Sequence, residues 1–286
     1  MKVLVTGATG QLGHDCVNEF RHRGREVRGV SSKDFSLTDP QAAYDYVTAY
    51  QPDVIVHCAA YTAVDRAEDE PDLCRAVNAG GTKALAEAAR DTGAKMIYIS
   101  TDYVFPGDGT EPYKPDAPTG PRNVYGQTKL EGEQAVRETV KEHFIVRISW
   151  VFGISGKNFV RTMLKLAETH KTLTVVDDQI GSPTYTRDLA VLLADMASTD
   201  RYGTYHATNE GYCSWCGFAR EIFRQAGVYV KVKPVPSEAY PTKAVRPHNS
   251  RLDKGALDRA GFLRLPRWQD AVGRYLIELV SAGKQY

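Results

Sequence analysis

Apolar and polar positions follow two rhythms along the first half of the chain. Short apolar runs occur at Val3–Thr6, Glu26–Val30, Val54–Cys58, Lys95–Ser100 and Phe144–Ile148. Segments of helical period separate them, at Gln11–Arg23, Asp39–Tyr50, about Asp72 to Arg90 and Tyr125–Val140. This alternation predicts βαβ units on a parallel sheet. Val54–Cys58 is apolar at successive positions, as a strand covered by helices on both faces requires. Asp39 sets a carboxylate at the positive end of its helix. A Gly/Pro-rich loop from Pro106 to Pro121 is long enough to be functional rather than a plain connector.

After Trp150 the rhythm loosens. Leu173–Val176 and Thr204–His206 read as strands, and Arg187–Met196, Ser214–Gln225 and Arg267–Val280 as helices. The stretch around Pro234–Pro247 reads as irregular. The chain shows no internal repeat and no low-complexity tract. The fold class expected is α/β, a Rossmann-type doubly wound parallel sheet with a smaller mixed C-terminal part.

Composition narrows the class. In 286 residues, 42% hydrophobic positions supply a substantial core, and 36 basic against 35 acidic residues leave a net charge of +1. That balance gives no chain-wide electrostatic reason to expect nucleic acid or a membrane surface as partner. No apolar stretch approaches the roughly 20 residues that cross a bilayer. The N-terminus enters a strand directly and lacks the pattern of a secretion signal. The five cysteines (Cys16, Cys58, Cys74, Cys213 and Cys216) are odd in number and irregularly spaced, which points to reduced thiols and a cytoplasmic setting.

Chemistry enters at the first strand-to-helix junction. Gly7, Gly10 and Gly13 stand three apart in Thr6-Gly7-Ala8-Thr9-Gly10-Gln11-Leu12-Gly13. Gly7 allows the tight turn, Gly10 the approach of a pyrophosphate and Gly13 the packing of helix on sheet, with the helix N-terminus facing the anion. Residues 1–150 are therefore expected to form a dinucleotide-binding domain. Residues 151–286 then form mainly a substrate-binding part, with some segments returning to the sheet. The second strand ends in Val30-Ser31-Ser32-Lys33, hydroxyls and a cation rather than a carboxylate, which suits NADPH with NADH tolerated; Asp34 lies nearby.

Tyr125 and Lys129 stand four apart on one helix face. A phenol titrates near pH 10, and a neighbouring ammonium is expected to lower that value and let the tyrosine exchange protons near neutrality. Ser100-Thr101-Asp102-Tyr103 ends the preceding strand, so Thr101 falls where parallel sheets bind ligands. Together these features read as hydride transfer to a carbonyl. A plain strand-to-helix turn would also account for the glycines, and a turn cap for Thr101.

With these residues in view the chain resembles the extended short-chain dehydrogenase/reductases, and within them the dTDP-4-dehydrorhamnose reductase family. The resemblance is carried by Gly7–Gly13, by His57–Asp65 and by Val77-Asn78 before Gly81-Thr82. It continues through Ser100–Phe105, Tyr125–Lys129, Arg147–Gly153, Asp178–Thr186, Cys213–Trp215 and Arg246-Pro247 with Ser250 and Leu252. It implies a C4 keto group on a dTDP-linked 6-deoxy-sugar as the acceptor. Gly7, Gly10, Gln11 and Leu12 would meet the pyrophosphate, with Ser31, Ser32 and Asp39 on the adenosine side. Ala59, Ala60, Tyr61, Asn78 and Ser100 would flank the cofactor. Tyr125 would donate the proton, Lys129 would anchor the nicotinamide ribose and Thr101 would orient the carbonyl. Asp102, Tyr103, Phe105, Trp150, Asn158, Gln179 and Thr184 would line the sugar side, and Arg246 would face the diphosphate. Members occur with and without dimers, so a homodimer is allowed.

Two positions depart from the family pattern. Ser36 replaces the first acid of an Asp-x-Thr-Asp stretch, and Cys216 stands where an aromatic residue is common. Cys213-Ser214-Trp215-Cys216 has no second pair and reads as packing rather than as a metal or redox motif. His57 and His206 read as core residues, and Glu68-Asp69-Glu70 as a solvent-facing run. No cluster has metal-ligand spacing. Two alternatives remain open: an epimerase or dehydratase on the same fold, and a non-catalytic NADP-binding regulatory subunit like that of methionine adenosyltransferase.

Overall fold

The computed structural model describes residues 1–283. Six strands run parallel in one sheet: β1 (Lys2–Thr6), β2 (Glu26–Val30), β3 (Val54–His57), β4 (Lys95–Thr101), β5 (His143–Ile148) and a strand returning from the second half, Gly203–His206. From one edge the order is β2, β1, β3, β4, β5 and then the returning strand. Register is continuous, with Val5 opposite Gly29 on one side and Val56 on the other. The connections turn in opposite directions from β1 and β3, so the sheet has its switch point between them, at the carboxyl ends where a crevice must open.

Helices cover both faces, which is why Val3, Leu4 and Val5 are all buried with no alternation. Gln11–His22 packs with Thr186–Ala197 on one face, joining Leu12, Cys16 and Phe20 to Leu189, Leu193 and Met196. Pro40–Tyr50, Thr82–Thr92 and Val124–Thr139 cover the other, through Ala43, Val47, Leu85, Ala88 and Val136. The helical period from Asp72 to Arg90 continues through Pro71–Arg75 and Thr82–Thr92, but the six residues Ala76–Gly81 between them are wound as a π-helix. Such widened turns recur where a side chain must be aimed at a site.

The smaller lobe has its own core of Phe152, Tyr185, Phe218, Tyr275 and neighbours. Its helices include Phe159–Ala167, Trp215–Ala226 and Trp268–Ser281. Phe159–Ala167 escaped the sequence reading, as did strand pairs only two residues long, too short to show a period. The stretch read as irregular from Pro234 begins inside a strand, Lys231–Val235, which pairs in parallel with Thr172–Val176. It is one of only two strands in its sheet, an edge position that tolerates Pro234.

Two buried histidines make a pH prediction. His57 is held between the Thr6 and Thr82 hydroxyls, at 2.7 and 3.0 Å, and His206 lies against the Phe105 ring. Burial, reinforced by Lys129 beside His57 and by Arg147 beside His206, lowers both to about 3. The unfolded imidazoles, titrating near 6.5, bind protons that the folded ones refuse, so stability is full above that value and falls as pH descends toward 3. Asp102, raised by burial to about 6, acts with the opposite sign, but as one group against two. Urea unfolding should therefore show a loss of about 2 kcal/mol or more between ~pH 6.5 and ~pH 5, and a flat profile would contradict the assignment. His206→Gln should shallow the slope.

Candidate active site

The crevice at the β1/β3 switch point is a cavity of about 220 Å³, lined by Gly7, Thr9, Ser31, Ser32, Ala59 and Ala60 among others. Its floor exists because side chains are missing there. Gly7 has φ +67°, and a Cβ on it would fall 2.8 Å from the Ala59 nitrogen. A Cβ on Gly13 would lie 2.2 Å from the Gly7 carbonyl oxygen, so the helix can approach the turn only with glycine there. Gly10 caps Gln11–His22 without a side-chain hydrogen bond, and no acid occupies the first turn. The positive end of the helix thus faces the crevice without a protein anion on it, which fits a dinucleotide's pyrophosphate.

Other residues expected at the cofactor take structural duties. Gln11 reaches the second lobe, its Oε1 accepting from the Gly153 N–H at 2.9 Å and the Asn158 amide at 3.1 Å. Leu12 is packed in the core. Asp39 caps Pro40–Tyr50 by accepting from the Ala42 N–H and does not line the crevice. Asp34 turns back to accept from Ser31 N–H and Oγ, leaving Ser32 and Ser36 on the crevice wall. Asn78, in the π-helical turn, holds Tyr61 by both backbone groups (2.8 and 3.2 Å) and also reaches the Thr128 hydroxyl. It shapes the Ala59–Tyr61 wall from behind. Ser100 is likewise committed, donating to Glu133 at 2.5 Å. The acidic run is engaged too: Glu70 accepts from the Tyr61 hydroxyl, Glu68 from the Val124 N–H and Asp69 from Lys243.

The reactive groups meet where β4 ends. Thr101 is buried, donates to Asp102 Oδ1 at 3.0 Å and accepts from the Tyr103 N–H. Tyr125 enters on Val124–Thr139, whose first turn is capped by Asn123 accepting from the Gly126 N–H at 2.8 Å. Gly126 is needed there, because a Cβ would sit 2.2 Å from the Tyr103 carbonyl oxygen. The Tyr125 ring meets Tyr103 edge to face at 5.5 Å. Burial pushes the Tyr125 hydroxyl above the ordinary phenol range, opposed by the adjacent Thr101 hydroxyl.

Lys129 departs from the sequence expectation. Its Nζ donates to the Ile99 carbonyl at 2.7 Å and lies 4.1 Å from the Tyr98 ring centroid, fully buried. Burial lowers it to about 7, with Glu133 acting against the fall. Lys129 thus gives a hydrogen bond to the Ile99 carbonyl, and burial keeps Tyr125 a protonated donor rather than a phenolate.

Beyond Tyr103 opens a second cavity of about 390 Å³ between the lobes. Trp150 and Trp215 stack at 3.7 Å, with Phe159 next to Trp215 at 4.7 Å, making an aromatic wall. Trp150 has φ +51°, a conformation that a bulky residue adopts only when its surroundings enforce it, and Gly181 leaves room for its ring. Arg246 closes the opposite side, donating to Asp65 at 2.6 Å and to the Tyr103 hydroxyl at 3.1 Å. Gln179 and Ser250 also line it, and Ser250 donates to Asp102 at 2.5 Å.

Three expected sugar-side residues lie elsewhere. Phe105 is buried and stacked on Tyr113, with Arg147 over its face. Thr184 is fully buried and donates to the Ser149 carbonyl. Asn158 caps Phe159–Ala167 and ties Gln11, Gly153 and the Tyr275 hydroxyl together. Phe105 and Thr184 belong to motifs that span a strand end, where neighbouring side chains point to opposite faces, and Asn158 lies outside the matched motifs. Conversely Phe159, Trp215 and Ser250 line the cavity and Asp65 holds Arg246 at its edge, and none of the four is an expected site residue. Trp215 and Ser250 lay within the matched motifs. Phe159 had no signal beyond the helix that went unread. Among the described residues no group of three or more His, Cys, Asp or Glu is disposed to hold a metal ion.

The whole chain has counterparts among known proteins. Residues 1–281 match the family described as RmlD substrate binding domain. The spore coat polysaccharide biosynthesis protein SpsK of Bacillus subtilis is 43% identical over 281 residues, covering 98% of this chain and 99% of that one. A dTDP-4-dehydrorhamnose reductase of Streptomyces griseus is 45% identical over 276 residues, 94% of this chain and 91% of that protein. The crystal structure of dTDP-4-dehydrorhamnose reductase from Bacillus anthracis in complex with NADP superposes with a TM-score of 0.94. It is 43% identical and covers 97% of this chain and 100% of that one.

Proposed function

This chain belongs to the RmlD substrate-binding-domain family, and from that premise we propose that it reduces the C4 keto group of dTDP-4-dehydro-6-deoxy-L-mannose to give dTDP-L-rhamnose. NADPH is the cofactor of this reading, with NADH tolerated. The observation that carries it is the meeting of Thr101 and Tyr125 at the end of β4, where Tyr103 packs on the Tyr125 ring and lines the cavity walled by tryptophans and closed by Arg246. When bound, the reduced nicotinamide supplies a hydride.

The chain's own residues do the rest. Gly7, Gly10 and the free N-terminal turn of Gln11–His22 hold the pyrophosphate, and Ser31 and Ser32 face the adenosine end. The buried Thr101 hydroxyl orients the carbonyl oxygen. Tyr125, kept protonated by burial, gives its proton to that oxygen as negative charge develops. Trp150 and Trp215 exclude water from the sugar side, and Arg246 receives the diphosphate as a planar fork. Many dehydratases on this fold place an acid-base pair beside the strand-end threonine. Asp102 stands there, but bonded to Thr101 and Ser250 rather than open to substrate, which favours simple reduction.

The five cysteines are all unpaired, which supports a reducing, cytoplasmic setting. No helix of the described residues is long and apolar enough to cross a membrane.

The test is the reduced-nicotinamide absorbance on mixing the protein, NADPH and the dTDP-linked keto-sugar made in situ. A decay that needs both protein and keto-sugar supports the reading, and a slower decay with NADH its cofactor preference. Tight NADPH binding with no decay would instead favour the regulatory-subunit alternative.

A further inference from the structure

Behind the reactive groups lies a buried charge cluster that the reduction as derived above does not use. Glu133 is fully buried one helical turn beyond Lys129. Its Oε1 accepts from the Ser100 hydroxyl at 2.5 Å and Arg147 Nε at 2.8 Å, and its Oε2 from Arg147 Nη2 at 2.7 Å and Arg137 at 2.9 Å. Arg147 is itself buried, held by the Pro115 carbonyl, and sits on β5 directly opposite Ser100 in register. The carboxylate is therefore clamped from β4, from β5 and from its own helix. Burying a charge in this way is costly, and it is often no more stabilising than an apolar replacement of similar volume. A role beyond packing gives a reason to keep it.

We propose that Glu133 is a positioning residue of the site, clamped by Arg147 and Ser100 so that its negative charge keeps Lys129 an ammonium ion. The other groups around Lys129 do this more weakly or not at all. β3 and the loop after it present His57 and Cys58, Pro71–Arg75 presents Cys74, and β4 presents Tyr98 and the Ile99 carbonyl. Glu133 is the one carboxylate among them. Burial works against the ammonium, and Glu133 leads the influences that oppose it. As a cation, Lys129 can hold a ribose hydroxyl and favour loss of the Tyr125 proton to substrate; as a neutral amine it loses both actions. The clamp matters because a carboxylate free to rotate toward water would be screened.

Two arms test this. The first needs no cofactor: the intact protein carrying 13Cε-labelled lysine is titrated by NMR, the Lys129 resonance being the one absent from Lys129→Met. In Glu133→Gln the Lys129 midpoint should fall by about one pH unit or more relative to wild type. A midpoint unchanged within about 0.3 unit would overturn the proposal. Because Glu133→Gln leaves Arg147 buried without its partner, the double variant Glu133→Gln/Arg147→Met is measured alongside. That variant removes a positive charge beside the lost negative one, so its Lys129 midpoint should lie between those of Glu133→Gln and wild type.

The second arm rests on the reductase reading. In the pH profile of kcat, the limb governed by Lys129 should move to lower pH by the same amount, with about tenfold lower kcat at neutrality. A profile of unchanged shape with uniformly lower kcat would mean a purely structural role and would overturn the proposal. Wild-type protein inert toward the keto-sugar would defeat the reductase reading alone, and the NMR arm would still decide the role of Glu133.

Discussion

Tyr125→Phe is expected to lose keto-sugar turnover by about 1,000-fold, within the range general acids contribute, while binding NADPH within about threefold of wild type. The substitution removes one oxygen and leaves the ring that packs edge to face on Tyr103, so neither cavity should change shape. The large effect follows from the surroundings. The hydroxyl is held protonated by burial and sits beside Thr101, whose own proton goes to Asp102. Asp102 is near, but its carboxyl is bonded to Thr101 and Ser250. Stopped-flow turnover and fluorescence-monitored NADPH binding measure the two halves of this expectation. Turnover within tenfold of wild type would remove Tyr125 from the reaction. Loss of NADPH binding in parallel would mean that the substitution had disturbed the crevice instead.

Gly13→Ala should act on the other cavity. The added methyl would need to occupy space 2.2 Å from the Gly7 carbonyl oxygen and 2.6 Å from its carbon, which only displacement of the helix or the turn can relieve. Backbone on both sides leaves no flexible side chain to give way. Overpacking of this kind costs about 1–3 kcal/mol, and the displacement falls on the helix N-terminus that faces the pyrophosphate. NADPH affinity should drop about 100-fold, a factor that corresponds to about 2.7 kcal/mol, and the urea midpoint should fall with it. Gly24→Ala is a fitting control: Gly24 also has positive φ but no atom within 4 Å of its Cβ position, so it should lose some stability without losing NADPH. Equal affinity in Gly13→Ala and wild type would show that the crevice does not hold the dinucleotide.

Much of this molecule could be read from local pattern. The apolar runs lie within a residue of the observed strands of the main sheet, because strands buried on both faces need continuous apolar sequence. The glycine turn was legible because spacing and position within a βα unit are themselves local. The helix carrying Tyr125 and Lys129 was found from its period. Reading failed where a motif was treated as one unit. Ser100 and Thr101 are neighbours, yet one bonds Glu133 behind the strand and the other bonds Asp102 beside Tyr125. Phe105 and Tyr103 likewise part company, one into a satellite core and the other onto the cavity.

The sheet, the glycine-floored crevice and the placing of Tyr125 and Lys129 on one helix follow from side-chain type and period over a few residues. Only the tertiary structure decided how those residues are charged and aimed. Arg246 meets Asp65 across 181 positions, Ser250 meets Asp102 across 148, and Asn158 meets Gln11 across 147. Lys129 reaches the Ile99 carbonyl, because the helix settles on β4 through Gly132, where a Cβ would strike the Tyr98 hydroxyl. Burial and distant partners set protonation and direction, and neither is a property of any short stretch of chain.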